Sequence, residues 1–258
     1  MRAVWLMAGA VATVVALSLS TVLLWHEFAR ARTPMDVTTR SIPFPYQEVR
    51  IKAGKGRVDL LVLPGQAGEL LIQRQLRWSK ERPTVTEDWD GRSRTLRLDA
   101  VCPGSDQPDG PVCEAEYMIF VPPETDIEAG TSTGDLTIGD LFGDARLTSV
   151  SGDVRVQSLS GDLWARTGTG DVDAERLSGG KADVEVGSGD VGLMFTAVPS
   201  DVKAMVRTTG AVQVAVPRST YDVTVAGVNT TIAVKRDAGS SRKIIAKTSE
   251  GNVSVLNH

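Results

Sequence analysis

The sequence predicts an all-β protein built mainly as a β-solenoid, and three observations support this fold class. Glycine is abundant, with 25 residues among 258, whereas aromatic residues make up only 5%. A glycine, followed by aspartate in four of six cases, precedes a short alternating apolar run and recurs every 18 to 21 residues through most of the C-terminal half. No segment beyond residue 32 shows a sustained helical period of apolar residues. A thin core of small and β-branched side chains is typical of stacked strands.

The repeat is defined by six glycines that precede the alternating runs. They are Gly134, Gly152, Gly170, Gly189, Gly210 and Gly251. A second series at Gly143, Gly161 and Gly179 lies halfway between them, which indicates two short units per coil. We expect these glycines to form structural turns, because glycine tolerates the positive φ of a corner. The alternating apolar residues should face inward, and stacked coils should share one continuous core.

The chain divides into four predicted segments. Residues 1–25 are predicted to be a transmembrane anchor, because residues 3–25 carry no charge and are long enough to cross a bilayer as a helix. Residues 26–45 form a polar tether. Residues 46–124 form β coils and hairpins that cap the solenoid, and residues 125–258 form the regular solenoid. The alternative at the N-terminus is a secretory signal, cleaved near Ala29-Arg30-Ala31.

Cys102 and Cys113 flank a turn-rich excursion between two strand-like runs, residues 95–101 and 114–121. If these runs pair as a hairpin, the two cysteines can form a disulfide, which would contribute about 2–3 kcal/mol by the loop-entropy model. The alternative is a pair of inert thiols. A disulfide predicts an oxidising compartment, so the N-terminus would lie inside the cell and the rest of the chain outside. Asp90-Gly91 predicts a further hairpin that leads into residues 95–98.

Charge and histidine content exclude several classes of function. The formal net charge is −4 and no basic stripe exists, so nucleic acid is not an expected partner. The two histidines, His26 and His258, stand at the edge of the apolar segment and at the last position of the sequence. Neither is placed to complete a Ser/His/Asp or Cys/His constellation or a histidine-rich zinc site. We therefore predict no catalytic residues, no cofactor and no enzymatic activity.

The Gly-Asp pairs place carboxylates in columns at the corners of the solenoid. One column contains Asp135, Asp153, Asp171 and Asp190, and a second contains Asp144 and Asp162. Carboxylates about 5 Å apart repel by about 0.8 kcal/mol in water, so something must compensate. We expect each aspartate to accept backbone N–H groups within its own turn. The first column is the alternative candidate for Ca²⁺, and paired carboxylates are also the groups that glycoside hydrolysis uses.

Trp164 is an isolated aromatic side chain within the regular repeats. It lies between Leu163 and Ala165, at the parity that Arg155 holds one half-coil earlier, so we expect it to point outward. A role in stacking against a sugar is the functional alternative to simple packing on the face of the sheet.

Three stretches of the sequence together resemble a bacterial family. They are Tyr117-Met118-Ile119-Phe120-Val121-Pro122-Pro123, Thr131-Ser132-Thr133-Gly134-Asp135-Leu136 and Ser149-Val150-Ser151-Gly152-Asp153-Val154. The chain is similar over residues 49–255 to the "putative adhesin" domain-of-unknown-function family of envelope proteins, which shows a "vP" strand followed by repeated "sGdv" turns. The resemblance implies an extracytoplasmic β-solenoid with no established activity and brings no catalytic residues.

Together these features predict a non-catalytic, adhesin-like binding or structural module displayed outside the cytoplasm from the cell membrane. The expected partners are the membrane through the N-terminal helix, an envelope polymer or another envelope protein, and another copy of the chain. The alternatives are a self-assembling solenoid scaffold, an accessory of envelope-stress signalling and a polysaccharide-active enzyme. Secretion after signal cleavage is the alternative localisation.

Overall fold

The computed structural model describes residues 13, 17–22, 34–54, 56–104, 107 and 110–258. The chain divides into two units, Met1–Met35 and Asp36–His258. The predicted transmembrane anchor, residues 1–25, lies largely outside the described residues. Among the residues that the structure does describe, no helix is long and apolar enough to cross a membrane. Strands dominate the second unit, so the all-β fold class is confirmed.

The strands are numbered in chain order. They are β1 (Met35–Pro43), β2 (Glu48–Ala53), β3 (Val58–Pro64), β4 (Glu69–Trp78), β5 (Thr84–Asp90), β6 (Thr95–Val101), β7 (Cys113–Val121), β8 (Asp126–Thr133), β9 (Leu136–Leu141), β10 (Ala145–Ser151), β11 (Val154–Leu159), β12 (Leu163–Thr169), β13 (Val172–Leu177), β14 (Lys181–Ser188), β15 (Val191–Phe195), β16 (Asp201–Thr209), β17 (Val212–Val216), β18 (Thr220–Ala226), β19 (Asn229–Ala233), β20 (Lys235–Arg236), β21 (Lys243–Glu250) and β22 (Asn252–Asn257).

The strands form two sheets of eleven strands each. Sheet A has the order β1-β4-β7-β3-β9-β11-β13-β15-β17-β22-β19, and sheet B has the order β20-β18-β21-β16-β14-β12-β10-β8-β2-β6-β5. Each coil contributes one strand to each sheet, so that β8 and β9 form one coil and β10 and β11 the next. Neighbouring coils pair in parallel, which stacks equivalent residues above one another.

The core consists of apolar columns that run from coil to coil. The register places Leu136, Val154, Val172 and Val191 side by side in sheet A, and all four are at most 1% exposed. The residues between the buried positions of each strand are less buried, as in the pattern BeBeiB of β11. The predicted inward alternation is therefore confirmed, and each coil closes the apolar face of its neighbours.

The coils at the two ends do not stack in chain order. The coil of β2 and β3 lies between the coil of β6 and β7 and that of β8 and β9. At the other end, the coil of β21 and β22 is inserted between the coil of β16 and β17 and that of β18 and β19. At the N-terminal end the inner coil therefore comes first in the chain and the outer coil second, whereas at the C-terminal end the outer coil comes first and the inner coil second.

The N-terminal end of the stack is closed by strands of a different kind. β4 pairs antiparallel with β7, and β5 pairs antiparallel with β6 through the turn at Asp90-Gly91, which confirms the predicted hairpin. Phe44, Tyr46 and Trp89 pack together at this end, with ring centroids 5.5–6.4 Å apart. β1 occupies part of the segment predicted as a tether, because it joins β4 at the edge of sheet A.

The two cysteines form a disulfide, with their Cα atoms 5.9 Å apart. The disulfide was expected from a hairpin between residues 95–101 and 114–121, and this predicted strand pairing was wrong. The strand that ends before Cys102 belongs to sheet B, and the strand that begins at Cys113 belongs to sheet A, so the two do not pair as a hairpin. They are the two strands of one coil, and the disulfide closes the excursion at the corner between them.

Candidate functional site: a groove on sheet B and the aspartate corners

All six repeat glycines lie at corners and have positive φ, from 118° at Gly170 to 156° at Gly251. A second restriction comes from the stacking of the coils. A β-carbon at Gly170 would overlap the carbonyl oxygen of Gly152, and one at Gly152 would overlap that of Gly134. The other corner follows the same rule, since a β-carbon at Gly161 would overlap the carbonyl of Gly143. Glycine is needed there because the backbones of successive coils approach closely.

The first column of aspartates forms a hydrogen-bonded ladder between coils. The Oδ1 atom of Asp135 accepts the backbone N–H of Asp153 at 3.1 Å, and Oδ1 of Asp153 accepts that of Asp171 at 3.0 Å. The ladder continues upward through Asp190 to the N–H of Ala211. The expectation of bonds within each aspartate's own turn was therefore wrong, because every acceptor reaches the N–H at the equivalent position of the following coil.

The ladders extend beyond the residues that the repeat identifies. Asp59 accepts the N–H of Asp135 at 2.9 Å, although no glycine precedes it. At the second corner, Asp126 accepts from Asp144, which accepts from Asp162, which in turn accepts from the N–H of Lys181. Neither Asp59 nor Asp126 was identified from the sequence. The signal was their position in strands that pair in register with β9 and β10.

Arg155 binds the free oxygens of two successive ladder aspartates. Its guanidinium donates to Oδ2 of Asp135 at 3.0 Å and to Oδ2 of Asp153 at 2.6 Å. Burial alone would raise the pKa of Asp135, but the backbone N–H of Asp153 and the guanidinium of Arg155 outweigh it, so that this pKa is lowered. Throughout the described part of the chain, no three His, Cys, Asp or Glu side chains converge as a metal site requires.

A groove of about 400 Å³ crosses the outer face of sheet B near the second corner. It passes over five successive coils, from β2 to β14, which corresponds to about 19 Å at the usual strand spacing. The lining side chains include six carboxylates, three cations and the indole of Trp164. The side chains at its centre stand at equivalent positions of successive coils, in the order Arg50, Glu128, Arg146, Trp164 and Asp183.

Trp164 lies on the outer face, as predicted, and is held there by two arginines. The guanidinium carbon of Arg146 is 3.7 Å from the ring centroid, and that of Arg166 is 4.4 Å away. Arg146 is in register with Trp164 on the preceding coil, and Arg166 lies two residues after Trp164 on the same strand. Cation–π contacts of this kind are worth about 0.5–1 kcal/mol each at exposed sites. They fix the orientation of an aromatic ring that remains partly exposed at the wall of the groove.

The cations near Trp164 differ in their own partners. Arg166 is paired with Asp183 at 2.8 Å and with Glu185 at 3.3 Å, while Arg50 is paired with Glu128 at 3.1 Å. Arg146 forms no ion pair with any described residue, so its charge is directed only at the indole. The groove therefore combines a tryptophan held by two arginines with a row of carboxylates.

The remaining residues singled out from the sequence do not join this groove. The Asp135–Asp190 column lies at the corner that leads into sheet A, apart from Trp164, which lies on sheet B. His258 is the last residue after β22, and His26 lies outside the described residues. The structure thus brings Trp164 together with the second aspartate column. From the sequence, only the first column was a candidate metal site.

Comparison with known protein families gives one match of direct interest. The family model described as Toastrack DUF4097 matches residues 124–256, slightly more than half of the chain. Among curated proteins, none matches this sequence.

Two solved structures from bacteria are similar to this chain. A crystal structure described as a "putative adhesin" from Bacteroides fragilis is 16% identical, with 86% of this chain and 97% of that chain covered and a TM-score of 0.52. A second structure of the same description, from Parabacteroides distasonis, is 13% identical over the same shares, with a TM-score of 0.49. At this level of identity the likeness of the Bacteroides structure extends to the fold alone.

Proposed function

The chain belongs to the Toastrack DUF4097 family, and on this premise we propose that it is a non-catalytic binding module of the cell envelope. The ligand face in this proposal is the groove around Trp164. The observation that carries the proposal is the fixed, partly exposed indole within a row of carboxylates that crosses five coils. The description of the Bacteroides structure as a "putative adhesin" is compatible with such a role.

The chemistry of the groove favours a neutral or amino-sugar polysaccharide. Carboxylates accept hydrogen bonds from sugar hydroxyls and from ammonium groups, and an indole provides an apolar surface for the face of a sugar ring. Six carboxylates against three cations leave an excess of negative charge, which disfavours a polyanion such as a uronic acid polymer. An extended polymer also matches a groove that is long and crosses repeating coils.

The hydrogen bonds of the carboxylates support a proposal of binding rather than hydrolysis. A glycosidase needs one carboxylic acid that stays protonated and a second carboxylate that is free to attack or to activate water. In the second column, Asp126, Asp144 and Asp162 each use one oxygen to hold a backbone N–H of the next coil. These side chains are fixed as structural acceptors, so we assign them contact roles with the ligand.

The proposal is tested by measuring glycan binding with the purified protein. Neutral, amino-containing and uronic acid polysaccharides would be compared by calorimetry. We expect binding of the first two classes and at least a tenfold loss of affinity in Trp164→Ala, since truncation of a central aromatic side chain costs about 2 kcal/mol or more. Met194→Ala is the matched control, because Met194 is 43% exposed on the outer face of sheet A. Binding that is equal in both variants would contradict the proposal, as would a preference for the uronic acid polymer.

The proposal includes display outside the cytoplasm from an N-terminal membrane anchor. Its support is the uncharged stretch of residues 3–25 and the disulfide between Cys102 and Cys113, which favours an oxidising compartment. Fusion of alkaline phosphatase after residue 258 should give active enzyme in whole cells, whereas a cytoplasmic reporter at the same position should be inactive. The opposite pattern would place the solenoid in the cytoplasm. Fractionation with and without carbonate extraction distinguishes an anchored protein from a secreted one.

A further inference from the structure

Sheet A ends at an open strand. β19 pairs with β22 on one side, and no described strand pairs with it on the other. Four of its five residues are exposed, and Val228, directly before it, is 69% exposed. β19 has the sequence Asn-Thr-Thr-Ile-Ala, with no charge and no proline. Native proteins usually protect an edge strand with charges, proline or a bulge, so an uncharged edge indicates a pairing surface.

Two of the three other sheet ends are protected in these ways. The last full strand of sheet B, β18, is covered over Thr220 and Tyr221 by β20, which consists of Lys235 and Arg236. At the opposite end of sheet A, β1 carries Arg40 and ends at Pro43, which lacks an N–H group. Because β1 is blocked in this way, head-to-tail stacking of copies through sheet A is disfavoured.

The direction of the backbone groups on β19 follows from the ladder of strands beneath it. The N–H of Val191 donates to the carbonyl of Ala211 at 2.9 Å, so Ala211 faces β15 and the next residue, Val212, faces β22. Val212 is in register with Val253 of β22, and Val253 is in register with Thr230 of β19. In a parallel ladder the residue opposite one that faces its partner strand faces away, so the groups of Val253 face β19 and those of Thr230 face the open side. Ile232 follows by alternation, so the edge presents two donors and two acceptors, placed symmetrically about Thr231.

We propose that β19 pairs antiparallel with β19 of a second copy, about a two-fold axis at Thr231. This register places Thr231 opposite its own copy and pairs Thr230 with Ile232 of the second copy, which satisfies all four open groups of each strand. On the inner side, Thr230 lies opposite Ile232, whose side chain is only half-buried at the end of the core. The interface is isologous and closed, so it yields a dimer rather than a filament.

The choice of a second copy follows from this self-complementarity. No charge of β19 faces its own equivalent, and a Thr–Thr pair across antiparallel strands is favourable. The predicted alternative of a self-assembling scaffold would need a second open end, but antiparallel strands and the aromatic cluster of Phe44, Tyr46 and Trp89 close the N-terminal end.

Engineered cysteines test the proposed register on the full-length protein. The only two natural cysteines form the disulfide, so a single new cysteine is the sole free thiol. Thr231→Cys should form a covalent dimer on mild oxidation, because a non-hydrogen-bonded antiparallel pair has Cα atoms about 4.5 Å apart, within disulfide range. Thr230→Cys is the matched control on the same strand and should stay monomeric on a non-reducing gel, because it faces Ile232. Equal yields from the two variants would overturn the proposed register.

A second variant tests the dimer without cross-linking. Thr231→Lys places two ammonium groups at the axis and should shift the sedimenting species from dimer to monomer. Its thermal unfolding at low concentration should match that of the wild-type protein, since Thr231 is exposed in the monomer. A wild-type protein that sediments as a monomer at tens of micromolar would overturn the proposal. That result would leave the groove on sheet B untouched, because β19 belongs to sheet A.

Discussion

At the residue scale, glycine and aspartate perform different tasks in the same corner. The glycine allows the backbone of one coil to pass close to the backbone of the next, and the aspartate holds the N–H group that the corner leaves without a strand partner. An unpaired buried or half-buried N–H costs about 1–3 kcal/mol, so each ladder bond matters locally. The Gly-Asp pair recurs as a unit because each corner needs both the close backbone approach that glycine allows and the N–H acceptor that aspartate supplies.

The steric role of the corner glycines can be separated from their conformational role. Gly170→Ala should destabilise the protein by well over 2 kcal/mol, because its β-carbon would overlap the carbonyl of Gly152 and its φ of 118° suits only glycine. Gly68→Ala is the control, since its φ is 77° but nothing lies within 4 Å of an added β-carbon. We expect it to cost only about 1–2 kcal/mol. Urea unfolding of both variants measures the difference, and equal losses would contradict the role of close stacking.

Asp135 at the corner and Asp173 in β13 should affect stability in opposite directions as the pH changes. The pKa of Asp135 is lowered, as described above, so its charged form contributes stability above about pH 4 that is lost as the pH falls through its folded pKa. The pKa of Asp173 is raised by burial and by Glu175, so its charged form weakens the fold at neutral pH. Asp135→Asn should therefore lower the melting temperature at pH 7, and its effect should shrink as the pH falls through the folded pKa of Asp135. Asp173→Asn should leave it equal or higher at pH 7, and a loss there would contradict the assignment.

The residue pattern was only partly sufficient to predict these contacts. The inward apolar positions and the corner glycines follow from alternation and spacing alone, because both are local properties of the repeat. The acceptor role of the aspartates between coils needed the register, since the N–H of Asp153 lies near Asp135 only after stacking. The contact between Arg146 and Trp164 could have been predicted from the sequence, because Arg146 precedes Trp164 by one period of 18 residues.

At the scale of elements, the sequence distinguishes strands well but not the sheet to which they belong. Two consecutive strands with a turn between them can form a hairpin or the two sides of a coil. β5 and β6 form a hairpin, because the Asp90-Gly91 turn is short, whereas β6 and β7 enter different sheets across a longer excursion. The same cysteines meet in either arrangement, so the disulfide could be predicted although the pairing was not.

The disulfide should stabilise the corner between β6 and β7. It closes a loop with a sequence separation of 11, for which the entropy model gives about 2–3 kcal/mol. The double variant Cys102→Ser/Cys113→Ser should lose this amount in urea unfolding under oxidising conditions. Reduction of the wild-type protein should give the same loss, whereas the variant should not respond to reductant. A reductant effect in the variant would show that the loss has another source.

At the scale of the whole molecule, the stack behaves as a one-dimensional array in which each coil contacts its two neighbours. Stability in such arrays is a sum over coils and their interfaces. The number of coils could be estimated from the period, but their order at the two ends could not, because strands such as β2 and β21 show the same alternation as any other strand. The order depends on which apolar layers fit together, and this is a long-range property.

The exchanged order at the C-terminal end predicts an unequal effect of two deletions of similar size. Removal of residues 218–238 deletes the outermost coil and joins Pro217 to Gly239, which leaves a five-residue link to β21, as long as the link between β15 and β16. This variant should unfold cooperatively. Its denaturant m-value should be lower by the amount that corresponds to the surface of one coil. Removal of residues 243–258 instead deletes the inner coil of β21 and β22, so β18 and β19 lose the strands on which they stack. Its m-value should fall by the amount that corresponds to the surface of two coils, and residues 220–236 should show fast hydrogen exchange. Equal m-values for the two deletion variants would contradict the inserted arrangement.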